Sequence, residues 1–180
     1  MIGFLRRPWA VALLAVFAVA LAAGLYLFQP WRLFTDRTVA EAAPEAVVPT
    51  SAGQAPPPAS GTPAAPRTLS SGRFISHEHG TSGTAKVIML PDGRRVLRIE
   101  NLDTSDGPDL RVWLSDQPVK PGVAGWGVFD DGEYLELGKL KGNKGDQNYA
   151  IPADTDLAEL TSVSIWCKRF RVSFGAAALR

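Results

Sequence analysis

Trp9 to Phe28 are 20 consecutive residues without a charge, rich in Ala, Val and Leu. At about 1.5 Å per residue such a run, if helical, spans roughly the 30 Å of bilayer hydrocarbon. It therefore reads as a single transmembrane helix, residues 9–28. Arg6 and Arg7 precede it, and Trp9, Tyr26 and Trp31 mark its ends as an interfacial belt. This leaves residues 1–8 in the cytoplasm and carries everything after the helix outside. Arg32 and Arg37 on the far side, partly offset by Asp36, oppose that orientation. A cleaved signal peptide is the alternative, with Ala18-Val19-Ala20 or Ala20-Leu21-Ala22 as the cleavage motif. Cleavage there leaves Leu25-Tyr26-Leu27-Phe28 as an apolar new N-terminus, which favours retention as a signal anchor. Leu5-Arg6-Arg7-Pro8-Trp9 has only the arginine pair of a twin-arginine signal. Both main readings export the remainder of the chain.

Residues 29–69 read as a Pro/Ala-rich disordered linker. Thr35 to Leu69 holds seven prolines and nine alanines with no periodicity, too little apolar bulk to offset the entropy of ordering. Its reach lies between roughly 30 Å as a coil and about 100 Å as extended polyproline.

Residues 70–180 have the composition of a folded, soluble domain. The first 69 residues carry 5 of the 19 basic and 3 of the 18 acidic side chains, leaving 14 and 15 for the remainder. A net charge of +1 gives no field for nucleic acid. Short apolar runs between turn residues predict strands at Thr84–Leu90, Arg94–Glu100, Leu110–Leu114, Tyr134–Leu137 and Tyr149–Ile151. Gly138–Asn148 reads as a loop and Asp154–Leu160 as one helical turn. Seven or so short strands without a long amphipathic helix predict an all-β, sandwich-like domain.

The best strand pattern is Ser162 to Gly175, which contains the single cysteine, Cys167. Val163, Ile165 and Cys167 share one parity, whereas Phe170, Val172 and Phe174 fall on the other. Either the strand is buried on both faces or its register resets, for which a β-bulge at Lys168-Arg169 would serve.

Gly107-Pro108-Asp109-Leu110, the run from Leu137 to Tyr149, Ile165-Trp166-Cys167 and the run from His79 to Ala85 together resemble the DM-thirteen domain of bacterial exported proteins and of animal Skeletor proteins. The resemblance covers about Ser71 to Leu179. It implies a role in extracytoplasmic electron transfer, with Cys167 as a redox thiol or as the ligand of a prosthetic group such as haem. No C-x-x-C-H sequence is present, so a haem here would be non-covalent.

Read from the residues, Cys167 is either a thiol made reactive by Lys168, Arg169 and Arg171 or a small buried hydrophobe beside Trp166. His79, on the resemblance, is a candidate cofactor-binding residue; with His77 it makes two imidazoles, too few for a zinc site. Asp103, Asp106 and Asp109, and separately Asp130, Asp131 and Glu133, read as solvated turn residues before calcium ligands. Lys139, Lys141 and Lys144 among glycines lack a phosphate-loop pattern. Trp126, in a glycine-rich loop, reads as a loop anchor or an exposed contact surface. No catalytic constellation is defined. Two functions follow: a membrane-tethered domain that exchanges electrons with a redox partner protein through Cys167, or a redox-silent binding module in which Cys167 fills the core.

Overall fold

The computed structural model describes residues 8–45 and 65–180. Pro8–Phe28 form one helix, α1, followed by a 3-10 turn at Pro30–Phe34. The helix is long and apolar enough to cross a membrane, and most of its large apolar side chains are exposed. Nine strands follow among the described residues: β1 (Thr38–Ala40), β2 (Arg67–Ser76), β3 (Ser82–Met89), β4 (Arg95–Asp103), β5 (Leu110–Ser115), β6 (Tyr134–Lys139), β7 (Lys144–Ile151), β8 (Ser162–Cys167) and β9 (Val172–Ala178).

The strands make one curled sheet in the order β1-β7-β4-β3-β2-β9-β8-β5-β6. The curl turns on β2. Its first part, Arg67 to Arg73, pairs with β3, and its last three residues, Phe74 to Ser76, pair with β9. Gly72 lies at this transfer, where a β-carbon would run into the backbone of Ala178, so only glycine lets the two halves approach. The halves face each other across one core built from alternate residues: Val87, Leu97 and Ile99 on one side, and Val112, Val163 and Ile165 on the other.

The outer face of β8 is covered too. Residues 116–133 fold back over it, so that Trp113, Phe129, Trp166 and Ala176 make a second apolar cluster, and all six residues of β8 are buried. The parity change after Cys167 has a different origin from the expected bulge. Lys168 to Phe170 form a hairpin turn closed by Arg171 at φ 53°, and β9 is a separate, antiparallel strand. A register shift does occur in this pair, at Ile165/Trp166.

Two further expectations are corrected. The loop expected at Gly138–Asn148 shrinks to residues 140–143, because β6 and β7 extend into it. Asp154–Leu160 does contain the single expected helical turn, in which the Leu160 N–H donates to the Asp156 carbonyl at 3.3 Å while the Asp156 carboxylate accepts the Ala158 N–H. The linker expected from residue 29 is folded at both ends. Residues 67–69 lie in β2, and β1 pairs in parallel with β7 (Thr38 with Lys144, Val39 with Gly145, Ala40 with Asp146). The buried Arg98 guanidinium donates to the carbonyls of Glu41 and Ala42 at 2.6 and 3.0 Å. These bonds are made mostly by backbone, which leaves no apolar pattern in the sequence. The rest of the expected linker, residues 46–64, lies outside the described residues.

Candidate functional site

Cys167 ends β8 inside the core cluster that contains Leu110, Ile165 and Phe174, with no exposed surface. Burial pushes its thiol up from the ordinary cysteine value, outweighing nearby backbone N–H groups that favour the thiolate. The three cations that follow it in sequence are engaged elsewhere. Lys168 pairs with Glu136 at 3.1 Å and Arg171 with Asp130 at 2.7 Å. Arg169 donates from Nη1 to the carbonyls of Tyr26 and Leu27 at 3.1 and 3.0 Å, capping the last turn of α1.

That cap fastens the β8–β9 turn to the end of the helix, and Phe28 stacks on Phe170 with ring centroids 5.3 Å apart. Arg32, just beyond, donates to the Asp106 carboxylate at 3.3 Å and to the Gly107 carbonyl at 3.2 Å. Between these fastenings lies an apolar cavity of about 460 Å³. Phe28 and Pro30 wall it on the helix side, and His79, Trp126, Phe170 and Phe174 on the domain side. The His79 ring rests on Phe174, centroids 4.0 Å apart, and its Nε2 pairs with the Glu78 carboxylate. Trp126 is held in place because its carbonyl accepts the Ser173 N–H at 2.7 Å. Its own indole Nε1 is buried and has no hydrogen-bond partner among the described residues, a costly state for a polar group out of water.

Cys167 is not part of the cavity wall, although Val172, its cross-strand partner, is. His79 and Cys167 therefore do not converge on one ligand position; Phe174, in the core beside one and stacked on the other, is what they share. A thiolate-ligated haem requires a deprotonated sulfur at a pocket surface. A fully buried thiol with a raised pKa does not fit that group.

The remaining candidates separate. His77 is buried: its Nε2 lies 3.0 Å from the Lys120 carbonyl and its Nδ1 2.9 Å from Ser173 Oγ. A carbonyl only accepts, so Nε2 carries the proton, Nδ1 accepts from Ser173, and Ser173 accepts from Ser164 at 3.0 Å. Desolvation lowers the His77 pKa, and no carboxylate joins the chain. It pins the 116–133 segment, with no exposed nucleophile. Asp103, Asp106 and Asp109 pair with Lys144, Arg32 and Arg111 respectively. Among the described residues no His, Cys, Asp and Glu side chains gather as a metal site. Lys141 and Lys144 pair with Glu41 and Asp36, so the glycine and lysine run is the docking track of β1. Sequence reasoning missed the cavity because part of its wall comes from the helix end, and no spacing brings Phe28 to Phe170.

Residues 73–179 match the family model described as Electron transfer DM13. Comparison with curated proteins and comparison with solved structures return no match.

Proposed function

The chain belongs to the DM13 electron-transfer family, and from that premise we propose that it is a membrane-tethered, outward-facing electron-transfer domain whose exchanging group occupies the aromatic cavity beside His79. The observation that carries this reading is the cavity itself, which is apolar and lies against the end of the apolar helix. Cys167 in this reading is a neutral thiol that packs the strand behind the cavity wall and does not exchange electrons at the surface. Its burial, its raised pKa and the engagement of all three neighbouring cations support that assignment. A redox partner protein meets the domain on the outer side of the membrane.

The second reading, a redox-silent binding module, draws on the apolar and aromatic lining of the same cavity. Reductive titration of the full chain, purified from its native membrane with its visible spectrum recorded, separates the two. Reversible spectral change, retained in Cys167→Ala, is the expected result. Loss of that change in a folded Cys167→Ala protein would return the electron to the sulfur, and no change in either protein favours the silent module.

A further inference from the structure

We propose that the domain rests on the bilayer itself, with the β8–β9 turn, residues 168–171, and the aromatic side chains of the 3-10 turn seated in the phospholipid headgroup layer. This rests on the membrane-tethered part of the reading above and is independent of electron transfer.

The helix α1 sets the level of the membrane. Its apolar run ends at Phe28, and the headgroup layer beyond the hydrocarbon is roughly 6 Å thick. Arg169 reaches that level: its Nη1 lies 3.1 and 3.0 Å from the carbonyls of Tyr26 and Leu27, and its guanidinium lies 5.8 Å from the centroid of the Tyr26 ring. The turn that carries Arg169 therefore sits beside the last turn of the helix. Arg32 donates from Nε to the Gln29 side chain at 2.7 Å and from Nη1 to Asp106, and Thr35 donates to the same carboxylate at 3.3 Å. The chain thus leaves the helix already fixed to the domain. Leu110 pairs with Cys167 across β5 and β8, so the loop holding Asp106 and the β8–β9 turn lie at one end of the sheet. That end faces the helix terminus, and Thr161 precedes β8 at the other.

The side chains suit the layer. Phe28, Trp31, Phe34 and Phe170 are 63%, 51%, 88% and 41% exposed, so four large rings at this end are left uncovered by the protein. Aromatic side chains favour the membrane interface over water. Arg169 meets no carboxylate among the described residues, whereas Lys168 and Arg171 beside it pair with Glu136 and Asp130. A lipid phosphate supplies an anion that a guanidinium binds well. Residues 46–64 do not set the height of the domain above the membrane, because they join β1 to β2 and both strands belong to the one sheet.

The test places the full chain in phosphatidylcholine nanodiscs containing lipid with a spin label on its headgroup, and reads quenching of a fluorophore on an introduced cysteine. Lys168→Cys carries the fluorophore at the turn and Thr161→Cys at the other end of β8; wild type, whose cysteine is buried, is the labelling blank. The two positions are roughly 20 Å apart along the strand, and quenching should be about threefold or more stronger at position 168. Duplicating residues 46–64 should leave that ratio unchanged. Adding Arg169→Gln and Phe170→Ser to the Lys168→Cys protein should lower quenching about twofold, with the melting temperature verifying the fold. Equal quenching at the two positions, a ratio that falls on duplication, or full quenching in the combined variant overturns the proposal. Dimers in the nanodisc with position 168 unquenched give the face to a second copy and overturn it as well. Release of the protein from vesicles of the same lipid at alkaline pH removes the membrane anchor, and the proposal with it. Retention without quenching at position 168 removes the proposal alone and leaves the anchor and the electron-transfer reading standing.

Discussion

Glu41 and Lys141, 100 residues apart in the chain, form an ion pair in which Lys141 Nζ donates to both carboxylate oxygens, at 2.7 and 3.0 Å. The pair fastens the segment after β1 onto the sheet, and the same carboxylate accepts the Asn148 N–H at 2.7 Å. Burial pushes the Glu41 pKa up, but Lys141, the Asn148 N–H and Arg98 together outweigh it and leave it below the usual glutamate value. A carboxyl depressed in the folded state stabilises fully above its unfolded pKa, and the contribution is lost as pH falls through the folded value. Glu41→Gln should therefore lower the melting temperature at pH 7 by about 3–5 °C, a discounted ~1 kcal/mol for a pair that is partly exposed. The difference from wild type should close by about pH 3. Thermal melts across pH 3 to 8 check both the size and the direction.

Gly145 and Gly93 offer a matched comparison. Both have left-handed backbone, φ 92° and 84°, but a β-carbon at Gly145 would run into the Val39 carbonyl, whereas at Gly93 it meets nothing within 4 Å. Gly93→Ala should cost only the backbone term, about 1 kcal/mol. Gly145→Ala should cost at least twice that and dislodge β1. Limited trypsin digestion reads the second effect directly, as faster cleavage after Arg37. Equal losses in the two variants would mean that the β1 contact contributes little.

The raised pKa of Cys167, caused first by burial, makes iodoacetamide inert toward the folded protein at pH 8. Labelling should appear only with denaturant. A thiol held neutral in the fold contributes stability that is full below its unfolded pKa and is lost as pH rises through the folded value. The wild-type melting temperature should thus decline above about pH 8.5 more steeply than that of Cys167→Ala. Rapid labelling without denaturant would place the sulfur at the surface and reopen thiol chemistry.

The β-rich class and the position of Cys167 in a strand were legible because alternation of apolar residues records which face of a strand is buried. Val163, Ile165 and Cys167 do face one core. The alternation could not say that Phe170 to Phe174 belong to a second strand, since a turn and a bulge both invert parity. Composition misjudged residues 30–42, because β1 is held by backbone bonds and by Arg98, Lys141 and Asn143, all of which lie in the domain. His79 was legible as a candidate, and it lies in the cavity wall. Trp126 offered two readings, and its position combines them: Ser173 anchors its backbone while its indole lines the cavity.

The sheet's order begins with β1, so this short strand covers the outer side of β7, which runs for eight residues. A domain cut free at residue 70, where composition draws its boundary, would carry that side bare. Unpaired strand edges template pairing with other chains, and such a fragment would be expected to self-associate through β7. The three residues Thr38 to Ala40 thus do for this domain what charged or proline-bearing edge strands do elsewhere: they guard it against aggregation, and the guard is supplied by the same stretch of chain that leads out of the helix.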